Sequence, residues 1–455
     1  MLEKDSLDIL RRTLEKLDAG FSSLPPSSPA IPAVEQLPQV LAAVADRLQD
    51  NYPYFHPLYA GQMLKPPHPV ARLAYALAQW INPNNHALDG GRASSAMEKE
   101  SVSALARMFG WGEHLGHLTG GGTMANLEAL WVAGQLMPGK TILASEQAHY
   151  THGRISGVLK LPFEAIPCDV RARMDMPALK RRIALGDVGT VVATMGTTAT
   201  GSVDPLPEIL ALREQHGFRV HCDAAYGGYF GLAENLSDET RRAFVAMGDV
   251  DSIVIDPHKH GLQPYGCGCV LFREPRVGQL YRHDSPYTYF SSKELHLGEI
   301  SLECSRPGAA AVALWATQKL LPLEKRGEFA KGLEQCREAA LDFHRRIVDD
   351  QRFVAAAFSP ELDIVIFAPR AVSVSAASTL SRKIFEAAAK KNLHLAVAEL
   401  PLEFFETGTI HMRKDQSNLT CLRSVLMKPE HVDWIPRIWS VLSESTDEIL
   451  KKDSA

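Results

Sequence analysis

The sequence is short of the features that mark several large classes of protein. No apolar run approaches the ~18 residues that a membrane-spanning helix needs, so no membrane span is expected. No Lys/Arg-rich run or basic arm appears and the formal net charge is -5, which argues against a nucleic-acid partner. The seven cysteines are few for 455 residues, odd in number and scattered. No CxxC occurs, and Cys267 and Cys269 lie too close along an expected strand to pair or to chelate. Neither a disulfide framework nor a metal site is therefore expected. The opening stretch MLEKDSLDILRRTLEKLDAG is charged throughout and lacks the apolar core of a signal peptide. These absences together lead to the expectation of a cytoplasmic protein with reduced thiols.

What remains is ordinary globular material, with 45% hydrophobic and 22% charged residues. The length predicts two or more domains. A Pro/Ser-rich patch, SSLPPSSPAIPA at 22–33, separates an N-terminal helix from a second helix over 34–50. NYPYFHPLYAGQMLKPPHP is crowded with Pro and aromatic residues and reads as irregular chain. Helical periodicity returns at 70–81 and again in SAMEKESVSALARMFGW.

From about residue 117 short apolar strands alternate with helices. TILAS, TVVATM, RVHCDAAY, DSIVID and CGCVLF read as strands, and LEALWVAGQLM as a helix. That alternation predicts a mostly parallel sheet with helices on both faces, an α/β architecture. The helix GAAAVALWATQKLL (308–321) closes this unit, and a helix over 326–349 leads into a smaller α+β rhythm. The expected division is an N-terminal helical segment (1–88), a large α/β domain (89–325) and a small C-terminal α+β domain (326–455).

The residues that carry chemistry stand at strand ends. DPHKHG (256–261) follows the apolar strand SIVI, which places Lys259 where α/β folds build their sites. A lone lysine there would most simply be a solvated turn residue, but this one is flanked by two histidines. Upstream, the strand RVHC ends in Asp223, followed by the small residues Ala224 and Ala225, then Tyr226, Gly227 and Gly228. A lysine and a buried carboxylate facing one cleft are the pair that pyridoxal 5'-phosphate (PLP) needs. The lysine forms a Schiff base, and the carboxylate keeps the ring nitrogen protonated so that the ring can accept electrons. In GHLTGGGTMANLEALW three glycines and Thr123 precede a helix, offering free N–H groups and a positive dipole end to an anion. This is neither a Walker sequence nor GxGxxG. His149, in SEQAHYTH, follows the strand TILAS; such a histidine is more often structural, but here it could stack on a ring.

These motifs occur in one order that resembles the group II PLP-dependent amino-acid decarboxylases, a family that includes aromatic-amino-acid, tyrosine, glutamate and aspartate decarboxylases. The matching stretches are NPNNHALDGGRASSAMEKE, GGGTMANLEAL, SEQAHYT, VVATMGTTATGSVDPL, HCDAAYGG and DPHKHG, within roughly residues 52–430. The resemblance implies the aspartate aminotransferase-like fold type I, with a seven-stranded sheet in the large domain. It implies PLP on Lys259, with Asp223 at the ring nitrogen, His149 on one ring face and Ala225 on the other. Gly122 and Thr123 would hold the phosphate, Thr197 would approach the ring hydroxyl, and His258 would sit beside the phosphate or the lysine. Arg423, in LRSVLM, would meet a substrate carboxylate. Gln62, in YAGQMLKPP, lies in a stretch resembling a loop that completes the neighbouring subunit's site, so a homodimer with shared sites is implied.

Two departures stand out. Asp256 occupies a position where many members have Asn, adding negative charge near the phosphate site; it is expected to face a helix N-terminus or pair with an arginine. The segment between Lys259 and Arg306 lacks a clear match to the tyrosine that delivers a proton in several members. His296, Tyr289 and Tyr287 are the candidates there, beside Lys259 itself. The implied reaction is loss of an amino acid's α-carboxylate as CO2 and reprotonation at Cα, with aromatic substrates first and acidic ones next. Three other readings stay open: a PLP-dependent carbon–carbon lyase of the phosphosphingosine type, a decarboxylation-dependent aldehyde synthase, and a non-catalytic relative.

Overall fold

The structure is a computed structural model that describes residues 5–25, 35–86, 90–282, 300–405 and 412–453. The N-terminal part supplies four helices, α1 (Ser6–Ala19), α2 (Leu37–Leu48), α3 (Pro69–Gln79) and α4 (Arg92–Met108). Between α2 and α3 the Pro-rich stretch is irregular as expected, and only Tyr59 pairs, with His394. The alternating region then runs β1 (Leu115–Thr119), α5 (Gly122–Leu136), β2 (Thr141–Ser145), α6 (Thr151–Leu159), β3 (Phe163–Ile166) and α7 (Met176–Ile183). It continues with β4 (Val188–Thr194), α8 (Leu206–His216), β5 (Arg219–Asp223), α9 (Asp238–Ala246), β6 (Ser252–Ile255) and β7 (Gly268–Phe272).

These strands form one seven-stranded sheet in the order β1-β7-β6-β5-β4-β2-β3. Only β7 opposes its neighbours: it pairs antiparallel with both β1 and β6. The central strands are buried along their whole length, which is why TILAS, TVVAT and SIVI read as unbroken apolar runs rather than alternating ones. α10 (Gly308–Leu320) packs against α3 and α4.

After α11 (Glu328–Asp349) come β8 (Phe353–Ala355), β9 (Ile364–Pro369), α12 (Val374–Lys390), β10 (Ala396–Pro401), β11 (Asn418–Val425) and α13 (His431–Asp453). Their four strands make a second, antiparallel sheet in the order β10-β11-β9-β8. The sequence reading passed over β1, β3 and β8. LGHLT and FEAI carry too little apolar signal to announce themselves, and FVA is only three residues long. Each becomes a strand because a stronger neighbour offers a ladder, as β7 does for β1 in register Leu115↔Phe272. Among the described residues no helix is long and apolar enough to cross a membrane.

Candidate active site

Parallel pairing brings the chemistry to one edge. β5 and β6 run side by side with Asp223 opposite Val254, so the chain leaving each strand emerges at the same C-terminal edge. The turn after β6 carries Asp256, His258 and Lys259, tightened by the Lys259 N–H donating to the Asp256 carbonyl at 2.9 Å. β1 ends at this edge as well, and its chain turns through Gly120 and Gly121 into α5. Gly121 has φ +152°, a conformation open to glycine alone in practice. After Asp223 the chain passes so close to the end of β4 that a Cβ on Gly227 would lie 2.0 Å from the Met195 carbonyl oxygen.

The three turns enclose a cavity of about 530 Å³, lined among others by Gly122, Thr123, His149, Asp223, Ala225, Asp256, His258 and Lys259. Asp223, 5% exposed, is the most elaborately held side chain in it. Its Oδ2 accepts from His152 Nε2 at 2.8 Å and from Asn126 Nδ2 at 3.3 Å, while Oδ1 accepts the Ala225 N–H at 3.1 Å. Burial pushes its carboxyl up, but the hydrogen bond and charge of His152, with Lys259 and His221 behind them, outweigh that and hold it below the usual carboxylate range. A chain of bonds lies behind Asn126: His221 Nε2 meets Asn126 Oδ1 at 2.8 Å, and His221 Nδ1 meets Ser252 Oγ at 2.8 Å. Burial lowers His221 to about 3, so the ring is neutral. With Nε2–H donating to the amide oxygen, Nδ1 accepts the Ser252 hydroxyl. Every donor in the row then points toward Asp223.

Sequence reasoning missed Asn126, His152 and His221. Asn126 and His152 stand one helical turn beyond residues that were singled out, Thr123 and His149, and that spacing was the available signal.

Lys259 Nζ lies 3.1 Å from Asp256 Oδ2, and His258 Nε2 lies 3.5 Å from the same oxygen. His258 Nδ1 donates to the Cys267 carbonyl at 2.8 Å, and burial lowers the ring's pKa. Of the two expectations for Asp256, the helix N-terminus is the one met. Its carboxylate packs against the start of α5, where a Cβ on Gly122 would sit 2.7 Å from Oδ2, and its cationic contact is Lys259 rather than an arginine. Among the described residues, Asp256 Oδ1 is buried with no hydrogen-bond partner. His149 is lowered by burial, and its Nδ1 lies 2.9 Å from Thr151 Oγ1. Glu303, not anticipated, also lines the cavity and accepts the Gly120 N–H at 3.0 Å.

Two expected residues stand elsewhere. The Thr197 hydroxyl is fully buried in a cluster with Thr200 at 2.7 Å and the Ser202 N–H at 3.1 Å; Gly196 and Thr198 line the cavity in its place. The tight turn needs the hydroxyl more than the cavity wall does. Arg423 is 4% exposed, and its guanidinium donates to the carbonyls of Thr198 (2.6 Å), Ala199 (3.1 Å) and Gly61 (3.4 Å) and to Gln62 Oε1 (3.1 Å). It stitches β11 to two loops instead of lining the cavity, and Gln62 reaches it within the same chain. His296, Tyr289 and Tyr287 lie outside the described residues.

A lysine, a buried ionised carboxylate and a glycine turn opening a helix now stand around one cavity. Residues 131–370 match the pyridoxal-dependent decarboxylase conserved domain, a span that holds His149, Asp223 and Lys259. The chain belongs to the pyridoxal-dependent decarboxylase family. An L-tyrosine decarboxylase from Enterococcus faecium is 30% identical over 390 residues, and the similarity covers 64% of this chain and 64% of that protein. A probable L-tyrosine/L-aspartate decarboxylase from Methanothermobacter thermautotrophicus is 28% identical over 68% of this chain and 82% of its own. Among solved structures, the Oryza sativa TDC with PLP and tryptamine superposes with a TM-score of 0.78 at 18% identity, covering 98% of this chain and 99% of that one. Mouse CSAD follows at 0.77 and 20%, covering 94% and 91%. At such identities these two speak for the fold, fold type I.

The residues present fit the family's cofactor, pyridoxal phosphate. Gly122 and Thr123 open α5, so their N–H groups have no intrahelical acceptor and face the cavity. Asp223, held ionised, and Lys259 both line it.

Proposed function

We propose that this decarboxylase-family chain removes the α-carboxylate of an L-amino acid as CO2 and releases the amine, with aromatic amino acids as the preferred class. The single observation that carries this reading is the ionised, buried Asp223 facing the same cavity as Lys259. Lys259 would carry the cofactor through its amine. Asp223 keeps a proton on the ring nitrogen, and the Ser252–His221–Asn126 row together with His152 keeps Asp223 charged and aimed. His149 and Ala225 would flank the cofactor ring, and Gly122, Thr123 and His258 would hold its phosphate. Bound there, the cofactor supplies an electron sink for the pair left at Cα when CO2 departs.

The preference for aromatic over acidic substrates is supported by charge. The cavity lining carries the carboxylates of Asp223, Asp256 and Glu303 and, besides Lys259, no lysine or arginine among the described residues. A second substrate carboxylate would find no free cation there among the described residues, because the hydrogen-bond donors of Arg423 are committed to backbone and amide oxygens. Proton delivery to Cα falls to His296, Tyr289 or Lys259 in this reading.

The protein works as a homodimer with shared sites in the same reading. Leu37, Val40, Leu41, Val44 and Leu48 form an apolar stripe along α2 that is exposed in the single chain. Seven free thiols, five of them buried, support a reducing, cytoplasmic setting.

The test is product analysis of PLP-loaded protein with a panel of L-amino acids, following CO2, amine, aldehyde and peroxide together. Equal CO2 and amine from tyrosine, tryptophan or phenylalanine bears out the proposal. Turnover of aspartate or glutamate alone overturns the substrate preference. Aldehyde with peroxide points to the synthase, and no CO2 from any amino acid sinks the decarboxylase reading.

A further inference from the structure

Behind the cavity, one buried carboxylate touches both halves of the site. Asp363, fully buried directly before β9, accepts from Tyr226 Oη at 2.6 Å through Oδ1. Its Oδ2 lies 3.1 Å from His260 Nε2. Tyr226 lines the cavity three residues after Asp223, and His260 directly follows Lys259. The His260 ring is 1% exposed and held edge-on between Tyr226 and Phe230, with centroids 4.9 Å from each. A residue directly preceding β9 of the four-stranded sheet therefore touches the chain after both Asp223 and Lys259, by a hydrogen bond to Tyr226 and by a charge contact with His260 that lacks hydrogen-bond geometry among the described residues.

We propose that Asp363 is a positioning residue: through Tyr226 and His260 it sets the relative placement of the chain after Asp223 and the Lys259 turn. Asp223 is the last residue of β5 and is held by its ladder, whereas Tyr226 and the Lys259 turn after Ile255 lie outside the strands. A fully buried carboxylate is costly unless it is paired, and this one gains its two close contacts only when both turns are in place. The coupling is thus reciprocal: docking of the second sheet orders the turns, and the ordered turns retain the carboxylate. The other ionisable groups facing Asp363 are Lys65, Arg423, Cys336 and His431. His260 also faces Lys65 and Lys259.

The inference rests on Lys259 being the cofactor lysine, and its test separates the two ideas. Holoenzyme is titrated with pH while the visible band of the bound cofactor is recorded, in wild type, Asp363→Asn and Tyr226→Phe. If wild type shows no visible band after loading, the assignment of Lys259 fails, and this inference with it. If the band is present, Asp363→Asn should shift its pH midpoint, because the turn that carries Lys259 is no longer held through His260. It should also lower kcat about tenfold while moving KM less than twofold. Tyr226→Phe removes only a hydroxyl from a packed ring and remains informative should Asp363→Asn fail to fold. It should lower kcat in the same manner, and the double variant should cost little more than either single change, because both act through one carboxylate. A lowered melting temperature with an unchanged band midpoint and unchanged kcat in both single variants would make Asp363 a purely structural seam and overturn the proposal.

Discussion

At Asp223, burial and hydrogen bonding pull in opposite directions, and the bonds to His152 and Asn126 decide the outcome. Replacement by Asn keeps the shape but removes the charge proposed to hold the ring-nitrogen proton. Asp223→Asn is expected to cut kcat by about two orders of magnitude or more while the visible band survives; stopped-flow and absorbance measurements check both. Lys259→Ala should abolish the band outright. Glu128 shows the reverse balance. It is fully buried on α5, 2.9 Å from His117 Nε2, and burial raises it to about 8. His117 Nδ1 lies 3.1 Å from the Leu118 carbonyl and donates to it, so Nε2 is left as an acceptor and a protonated Glu128 fits the contact. Between its ordinary value of 4.5 and about 8, the folded state binds more protons at this site than the unfolded chain does. Its contribution is therefore fully present below 4.5 and lost as pH rises through about 8. Denaturant unfolding of wild type against Glu128→Gln should show wild type losing ground over that window and no further change above it.

Helix α5 is the element on which the site depends most. Its first turn offers the anion cradle, Asn126 reaches Asp223 from its second, and Glu128 anchors it to β1 through His117. The Asp256 carboxylate packs directly against that first turn, so Gly122 has no room for a methyl group. Gly122→Ala is expected to weaken PLP binding at least about tenfold with a smaller effect on global stability, measured by cofactor titration and thermal melting. Legibility at this scale was uneven. TVVAT and SIVI identified themselves because a strand buried on both faces has no polar side to confuse it. LGHLT did not, since its glycine and histidine are tolerated only because β7 and α5 cover them.

For the whole molecule, the unresolved balance is the apolar surface of the N-terminal helices. Neither α1 nor α2 contains a buried residue, and Leu7 and Leu48 are each 62% exposed. A chain carrying such stripes gains by covering them with a second copy. Val40→Asp combined with Val44→Asp should shift a dimer toward monomer in sedimentation velocity at micromolar concentration. Because the sites are proposed to be shared, specific activity should fall in parallel. A monomeric wild type would remove this part of the reading.

Order along the chain was enough to identify the cofactor chemistry. Lys259 and Asp223 follow unmistakable strands, a glycine turn precedes a helix, and parallel strands deliver whatever follows them to a common edge. Those are local signals, written in residues a few positions apart. The tertiary structure decided what no local signal carries. It turned the Thr197 hydroxyl into its own loop and committed Arg423 to backbone carbonyls. It brought His152, Asn126 and His221 together around Asp223, and set Asp363 against Tyr226 and His260. The reason is physical: a side chain's type fixes which bonds it can make, whereas the partners it meets depend on which distant elements the fold packs against it.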